Sequence, residues 1–102
     1  MVLSNEAKER LRKEIVRLLT RFPEVRRIVI FGSFITSSEP HDLDVAVFQD
    51  SEENYYSLAM KYRRSLRSVA NQIPLDVIPL RRSLEQSAFR QHLDKGEVLY
   101  ER

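Results

Sequence analysis

From Arg27 to Phe31 the chain reads Arg-Ile-Val-Ile-Phe, and Gly32 closes this β-branched and aromatic run abruptly. No polar residue relieves Ile28 to Phe31 on either side, so a strand here must be covered on both faces and belongs in the middle of a sheet. Two further apolar runs can lie beside it: Leu43 to Phe48, and Leu75-Asp76-Val77-Ile78-Pro79-Leu80. Pro74 and Pro79 bracket the last of these, which must be an edge strand or end at its proline.

The covering layers are legible as amphipathic helices. Over residues 5–21, Ala7, Leu11, Ile15, Leu18 and Phe22 recur at threes and fours, with Leu19 widening the stripe and Arg10, Lys13, Arg17 and Arg21 opposite it. Ser4 or Asn5 can cap this helix, and Pro23 disfavours its continuation. After the second run, Asp50 or Ser51 is placed to cap a helix of about 20 residues. Tyr55, Leu58, Tyr62, Leu66, Val69 and Ile73 form its stripe up to Pro74. Tyrosines 55, 56 and 62 read as core packing. Beyond Arg82 the pattern is helical over 83–89 and 89–93, then Gly96 reads as a C-cap or turn before the tail Val98-Leu99-Tyr100. Ser33 to Pro40, rich in Ser and Thr, reads as a loop or short helical turn.

These 102 residues, 42% of them apolar, suffice for one core and read as a single domain over 1–102. The chain has no cysteine and only two histidines, so disulfides, thiolate nucleophiles and Cys/His zinc sites are excluded. Its opening residues turn charged at once, and no apolar stretch approaches the roughly 20 residues needed to cross a bilayer, which predicts a cytoplasmic protein without membrane contact. Lys and Arg number 17 against 15 Asp and Glu, a net charge of +2. Eight of the cations fall within the first 27 residues, and Lys61, Arg63, Arg64 and Arg67 form a second cluster. Such faces can meet a polyanion or simply be solvated. Without an interleaved aromatic platform they point away from nucleic acid as the partner, and a small nucleic-acid-binding domain is a minor alternative.

Chemistry concentrates at the head of the second strand. Asp42 and Asp44 are two apart, so on a strand their carboxylates project to one face and repel unless a cation lies between them. Asp76 is the one acid embedded in the third apolar segment. With strand three beside strand two, it completes a three-carboxylate cluster whose oxygens suit Mg²⁺ or Mn²⁺. Such a cluster can serve a two-metal phosphoryl-transfer site. Gly32 lets backbone approach a ligand closely, and Ser33 adds an amide and a hydroxyl for phosphate oxygens. His41 and His92 read as bystanders.

Phe31-Gly32-Ser33, an eight-residue spacer, Asp42-Leu43-Asp44 and the later Asp76 together resemble the DNA polymerase beta-like nucleotidyltransferase superfamily, in its minimal nucleotidyltransferase branch. The resemblance covers nearly the whole chain. It implies an α+β fold, a small mixed sheet backed by helices, with ATP as substrate and two Mg²⁺ ions as cofactor. Asp42 and Asp44 resemble the metal-bridging pair, Asp76 the third ligand and proton acceptor, and Gly32 and Ser33 the triphosphate binders. The implied reaction moves AMP to a hydroxyl. Its acceptor in many such pairs is a tyrosine of a helical, RNase-like toxin, which makes the transferase an antitoxin; a homodimer is the other partner arrangement considered. Many relatives carry an arginine directly after the serine, and a glycine shortly beyond, where this chain has Phe34-Ile35-Thr36. That departure keeps open a second reading, an inactive relative that neutralises a helical partner by covering it.

Overall fold

The computed structural model describes residues 2–81 and 96–102. In chain order the elements are α1 (Asn5–Leu19), β1 (Val25–Phe31), α2 (Ser33–Thr36), β2 (Leu43–Gln49), α3 (Tyr55–Ser65), α4 (Arg67–Ala70), β3 (Leu75–Arg81) and β4 (Glu97–Glu101). The four strands form one sheet in the order β3-β2-β1-β4. β1 runs antiparallel to β2 and β4, whereas β2 and β3 are parallel. The sheet is therefore mixed and the fold α+β. Parallel neighbours need a crossover, and α3 with α4 supplies it.

Burial follows the strand period. Ile28 and Ile30 of β1, and Leu43, Val45 and Val47 of β2, join one core with Leu11, Ile15 and Leu19 of α1 and Leu58, Tyr62 and Val69 of the crossover. Val29, Ala46 and Phe48 point the other way and are fully buried in a second cluster, against which Phe31 and Leu80 pack. Both faces of β1 are thus covered, as its unbroken apolar run demands. Pro79 sits opposite Val47 on β3, an outer strand of the sheet.

The helices depart from the sequence reading at their ends. α1 starts where Ser4 Oγ accepts from the Ala7 amide (3.0 Å), but it stops at Leu19. There Thr20 closes it by donating its hydroxyl to the Val16 carbonyl (2.6 Å). The single long helix after β2 is instead two. Neither Asp50 nor Ser51 caps it; Asn54 does, its side chain accepting from Ser57 N (2.9 Å). Asp50 is taken by Arg26, and Ser51 Oγ accepts from Glu53 N. At Leu66 the backbone leaves helical geometry (φ −97°, ψ 19°) and α4 begins. The buried stripe from Leu58 through Tyr62, Leu66, Val69 and Ile73 continues across that break. Tyr55 and Tyr56 are exposed, which corrects the reading of all three tyrosines as core.

Tyr62 is fully buried, with its ring edge-on to Phe22 at 5.3 Å and its hydroxyl donating to Glu24 Oε2 (2.8 Å). Lys61 bridges the same Glu24 (2.8 Å) and Glu53 (2.7 Å). Burial pushes the Glu24 carboxyl up, but hydrogen bonds from Lys61, its own backbone and Tyr62 pull it to a net position below the usual value. The phenol is pushed up, by burial first and by Glu24 second.

The tail forms a strand that the sequence reading left unassigned. β4 pairs Tyr100 with Ile28 and Val98 with Val29, with a bulge between them. Gly96 leads into it across β1. A Cβ at this position would lie 2.6 Å from both Phe31 Cε1 and Val29 Cγ1, so the close approach needs glycine. The helical segments read over 83–89 and 89–93 lie outside the described residues, as does His92. No described helix is long and apolar enough to cross a membrane.

Gly96→Ala should lower stability by about 1–3 kcal/mol through overpacking against β1. Equilibrium urea denaturation measures this as a fall in midpoint at constant slope.

Candidate active site

β1 ends at Phe31, whose partner across the sheet is Asp44. The next residue, Gly32, has φ +91° and ψ −169°, a backbone conformation that is nearly glycine-only. Here space makes the same demand as conformation. A Cβ on Gly32 would sit 3.1 Å from Asp42 Oδ1 and 3.3 Å from Asp44 Oδ2, pressed against both carboxylates.

α2 follows as a single turn, and Ser33 ties it back to β2. Its hydroxyl donates to Asp42 Oδ1 (3.0 Å) and accepts from the amides of His41 (2.8 Å) and Asp42 (3.3 Å). The loop is also held from α1. Lys8, buried despite its charge, donates to the Ser37 carbonyl (2.6 Å). Both Lys8 and Arg12 lie 5.4 Å from the ring centroid of Phe34. Phe34 itself is fully buried. The position directly after Ser33 is thus a core side chain.

β2 and β3 begin together, with Leu43 N donating to the Pro74 carbonyl (2.9 Å), and this fixes the parallel register that sets Asp76 opposite Asp44. Since Leu43 and Val45 face the main core, the alternating Asp44 faces the other side, with Ala46 and Phe48. Burial raises the Asp44 pKa, and the negative charges of Asp42 and then Asp76 raise it further. Asp44 therefore lies within electrostatic reach of both other aspartates.

They are not equally gathered. Asp42 and Asp44 converge beside Gly32. The Asp76 side chain is 71% exposed, and its Oδ1 lies 3.9 Å from Arg63 Nη2 on α3. Among the described residues no three acidic or imidazole side chains are drawn together tightly enough to clasp an ion unaided. The donor set is oxygen throughout and Gly32 brings no side chain of its own against it, a combination that fits a hard divalent cation carrying phosphate oxygens. His41 is exposed and contributes its backbone amide.

Two residues at this site escaped the sequence reading. Lys8 carried a signal, since it sits in line with Leu11, Ile15 and Leu19 on the buried stripe of α1. Arg63 carried none, because its place depends on where α3 meets the outer strand.

Comparison with known proteins bears on what such an arrangement does. The sequence model of the family described as Polymerase beta, Nucleotidyltransferase matches residues 13–102. Among solved structures, a Sulfolobus solfataricus protein classed as a nucleotidyltransferase superimposes with a TM-score of 0.63 at 20% identity, covering 95% of this chain and 86% of that one. A chain from the complex of a tri-AMPylated Shewanella oneidensis HEPN toxin with its MNT antitoxin gives 0.61 at 25% identity, covering 93% and 73%. A toxin–antitoxin structure containing AMP-PNP gives 0.58 at 24% identity, covering 89% and 73%. No curated protein matches the chain.

Two substitutions test the electrostatics and the backbone of this site. In the metal-free protein Asp44→Asn should raise the melting temperature at neutral pH. A carboxyl whose folded-state pKa is raised favours the fold while protonated and loses that advantage as pH climbs through its folded value, so the difference should vanish below the ordinary carboxylate range. Melting curves from pH 3 to 8 measure it. Gly32→Ala should cost about 1–3 kcal/mol from backbone strain alone, readable by urea denaturation.

Proposed function

We propose, since this chain belongs to the polymerase beta family of nucleotidyltransferases, that it is a Mg²⁺-dependent adenylyltransferase that moves AMP from ATP to a hydroxyl of a partner protein. The observation that carries this reading is the meeting of Asp42 and Asp44 over Gly32, with Asp76 in register on the next strand. The acceptor we propose is a tyrosine of a helical, RNase-like toxin, so that the chain acts as its antitoxin. Support comes from the Shewanella oneidensis complex, in which the toxin is tri-AMPylated, and from the toxin–antitoxin structure with AMP-PNP.

Asp42, Asp44 and Asp76 would hold the metal ions, and bound Mg²⁺ would neutralise phosphate charge and polarise the α-phosphorus toward attack. The chain's own groups do the rest. Gly32 leaves room for the triphosphate because it puts no side chain of its own against the carboxylates. Ser33 holds the loop in shape, and its hydroxyl proton, now given to Asp42, is the one a phosphate oxygen would accept. The tyrosine oxygen forms a bond to the α-phosphorus, the α–β anhydride bond breaks, and pyrophosphate leaves. Asp76, the most exposed of the three carboxylates, takes the proton of the attacking hydroxyl.

A second reading draws on Phe34. Its burial removes the position after Ser33 from contact with nucleotide, as an inactive relative that neutralises its helical partner by covering it would allow. One experiment separates the two. Incubation with labelled ATP, Mg²⁺ and the purified product of the adjacent reading frame should label a tyrosine of that protein. Asp44→Asn should cut the labelling rate by at least about 100-fold, the consequence of losing several kcal/mol of charge stabilisation. A stable complex that takes up no label would establish the covering role, and label that persists unchanged in Asp44→Asn would defeat the assignment.

A further inference from the structure

Asp76 stands in register with a carboxylate it would join but carries a counter-ion of its own. Its register with Asp44 brings the backbones together, yet its oxygen lies 3.9 Å from Arg63, and no three-ligand group is assembled among the described residues. We propose that Arg63 is a switchable counter-ion: it holds Asp76 outside the pair until a divalent cation arrives, and then turns its guanidinium to an oxygen of the nucleotide's triphosphate. This rests on the function proposed above.

The charge inventory favours Arg63 for the role. Residues 54–75 contain Lys61, Arg63, Arg64 and Arg67 and no carboxylate, and among the described residues Arg63 pairs with Asp76 across the gap from α3 to β3. The two described cations that flank the loop from α1 are committed. Lys8 donates to the Ser37 carbonyl, and Arg12 pairs with Glu97 at 3.1 Å. Position 34, next to Ser33, is a buried phenylalanine. A triphosphate entering among three aspartates therefore meets one described side-chain cation in contact with them. The pair is also easy to part, since both side chains are exposed, 54% and 71%, and the separation is at the long end for an ion pair. A divalent ion outbids a single positive charge for a carboxylate, and a released guanidinium presents the planar fork that suits phosphate oxygens.

The proposal gives one variant two effects of opposite sign. Arg63→Gln frees Asp76 from its competitor, so in nucleotide-free protein the MnCl₂ concentration giving half the melting-temperature rise should fall about threefold, the scale of an exposed ion pair. The same variant should bind Mg²⁺·AMP-PNP about tenfold more weakly by calorimetry, the loss of one charge-assisted hydrogen bond. Arg63→Lys should keep the wild-type metal response and recover part of the nucleotide affinity. A half-point for metal that is unchanged or raised in Arg63→Gln overturns the proposal. So does unchanged affinity for Mg²⁺·AMP-PNP. If the wild type itself shows neither metal response nor AMP-PNP binding, the transferase reading falls, whereas a wild type that shows both and a variant that matches it removes only Arg63.

Discussion

Two strands of this protein, β1 and β2, are buried on both sides, and that constraint decides where chemistry can be placed. Along Ile28 to Ile30 and Leu43 to Phe48 nearly every side chain is sealed, so a charge anywhere in the middle of either strand would be stranded without solvent or partner. Only the strand ends remain available. Asp44 occupies the second position of β2, at the border where the sheet gives way to the loop, and Asp42 lies just before the strand begins. Burial at this border already strains the carboxylate, as its raised pKa records. One step deeper, at Ala46, the same face is closed.

The periodicities that define packing were the readable part of the chain. The apolar run at 27–31 announces a doubly covered central strand, and the stripes of α1 and of the crossover single out Leu11, Ile15, Leu58, Tyr62 and Val69, all of them core residues. Where the reading slipped, the deciding contact was tertiary. Asp50 has the local chemistry of a helix cap, but Arg26, 24 residues earlier, takes it, and Asn54 caps instead. Val98 to Tyr100 is too short to declare itself, and becomes a strand because β1 offers it an open edge. Of the candidate site, the pairing of Asp42 with Asp44 followed from a period of two. The register that brings Asp76 opposite Asp44 did not, since it is fixed by the parallel start at Leu43 and Pro74.

Ser33 links these scales. It is adjacent to Gly32 in sequence, opens the short turn α2, and through three hydrogen bonds sets the path of the chain into Asp42. Lys8 and Phe34 brace that turn from the side of α1, so the mouth of the site is coupled to the first helix although the two are far apart along the chain. Shape at the mouth and charge within it are thus set by different parts of the molecule. α1 and α2 govern the former, and the β2–β3 register the latter.

An open four-stranded sheet has two borders, and each could in principle recruit a stray strand from another molecule. On one border Pro79 interrupts the row of amide donors of β3, and on the other the bulge opposite Ile28 and Val29, with Glu97 and Glu101 at the strand ends, spoils the flat template. Fibrous stacking through the sheet is thereby discouraged on both flanks. The helical surfaces, by contrast, present Tyr56 and Met60 to solvent.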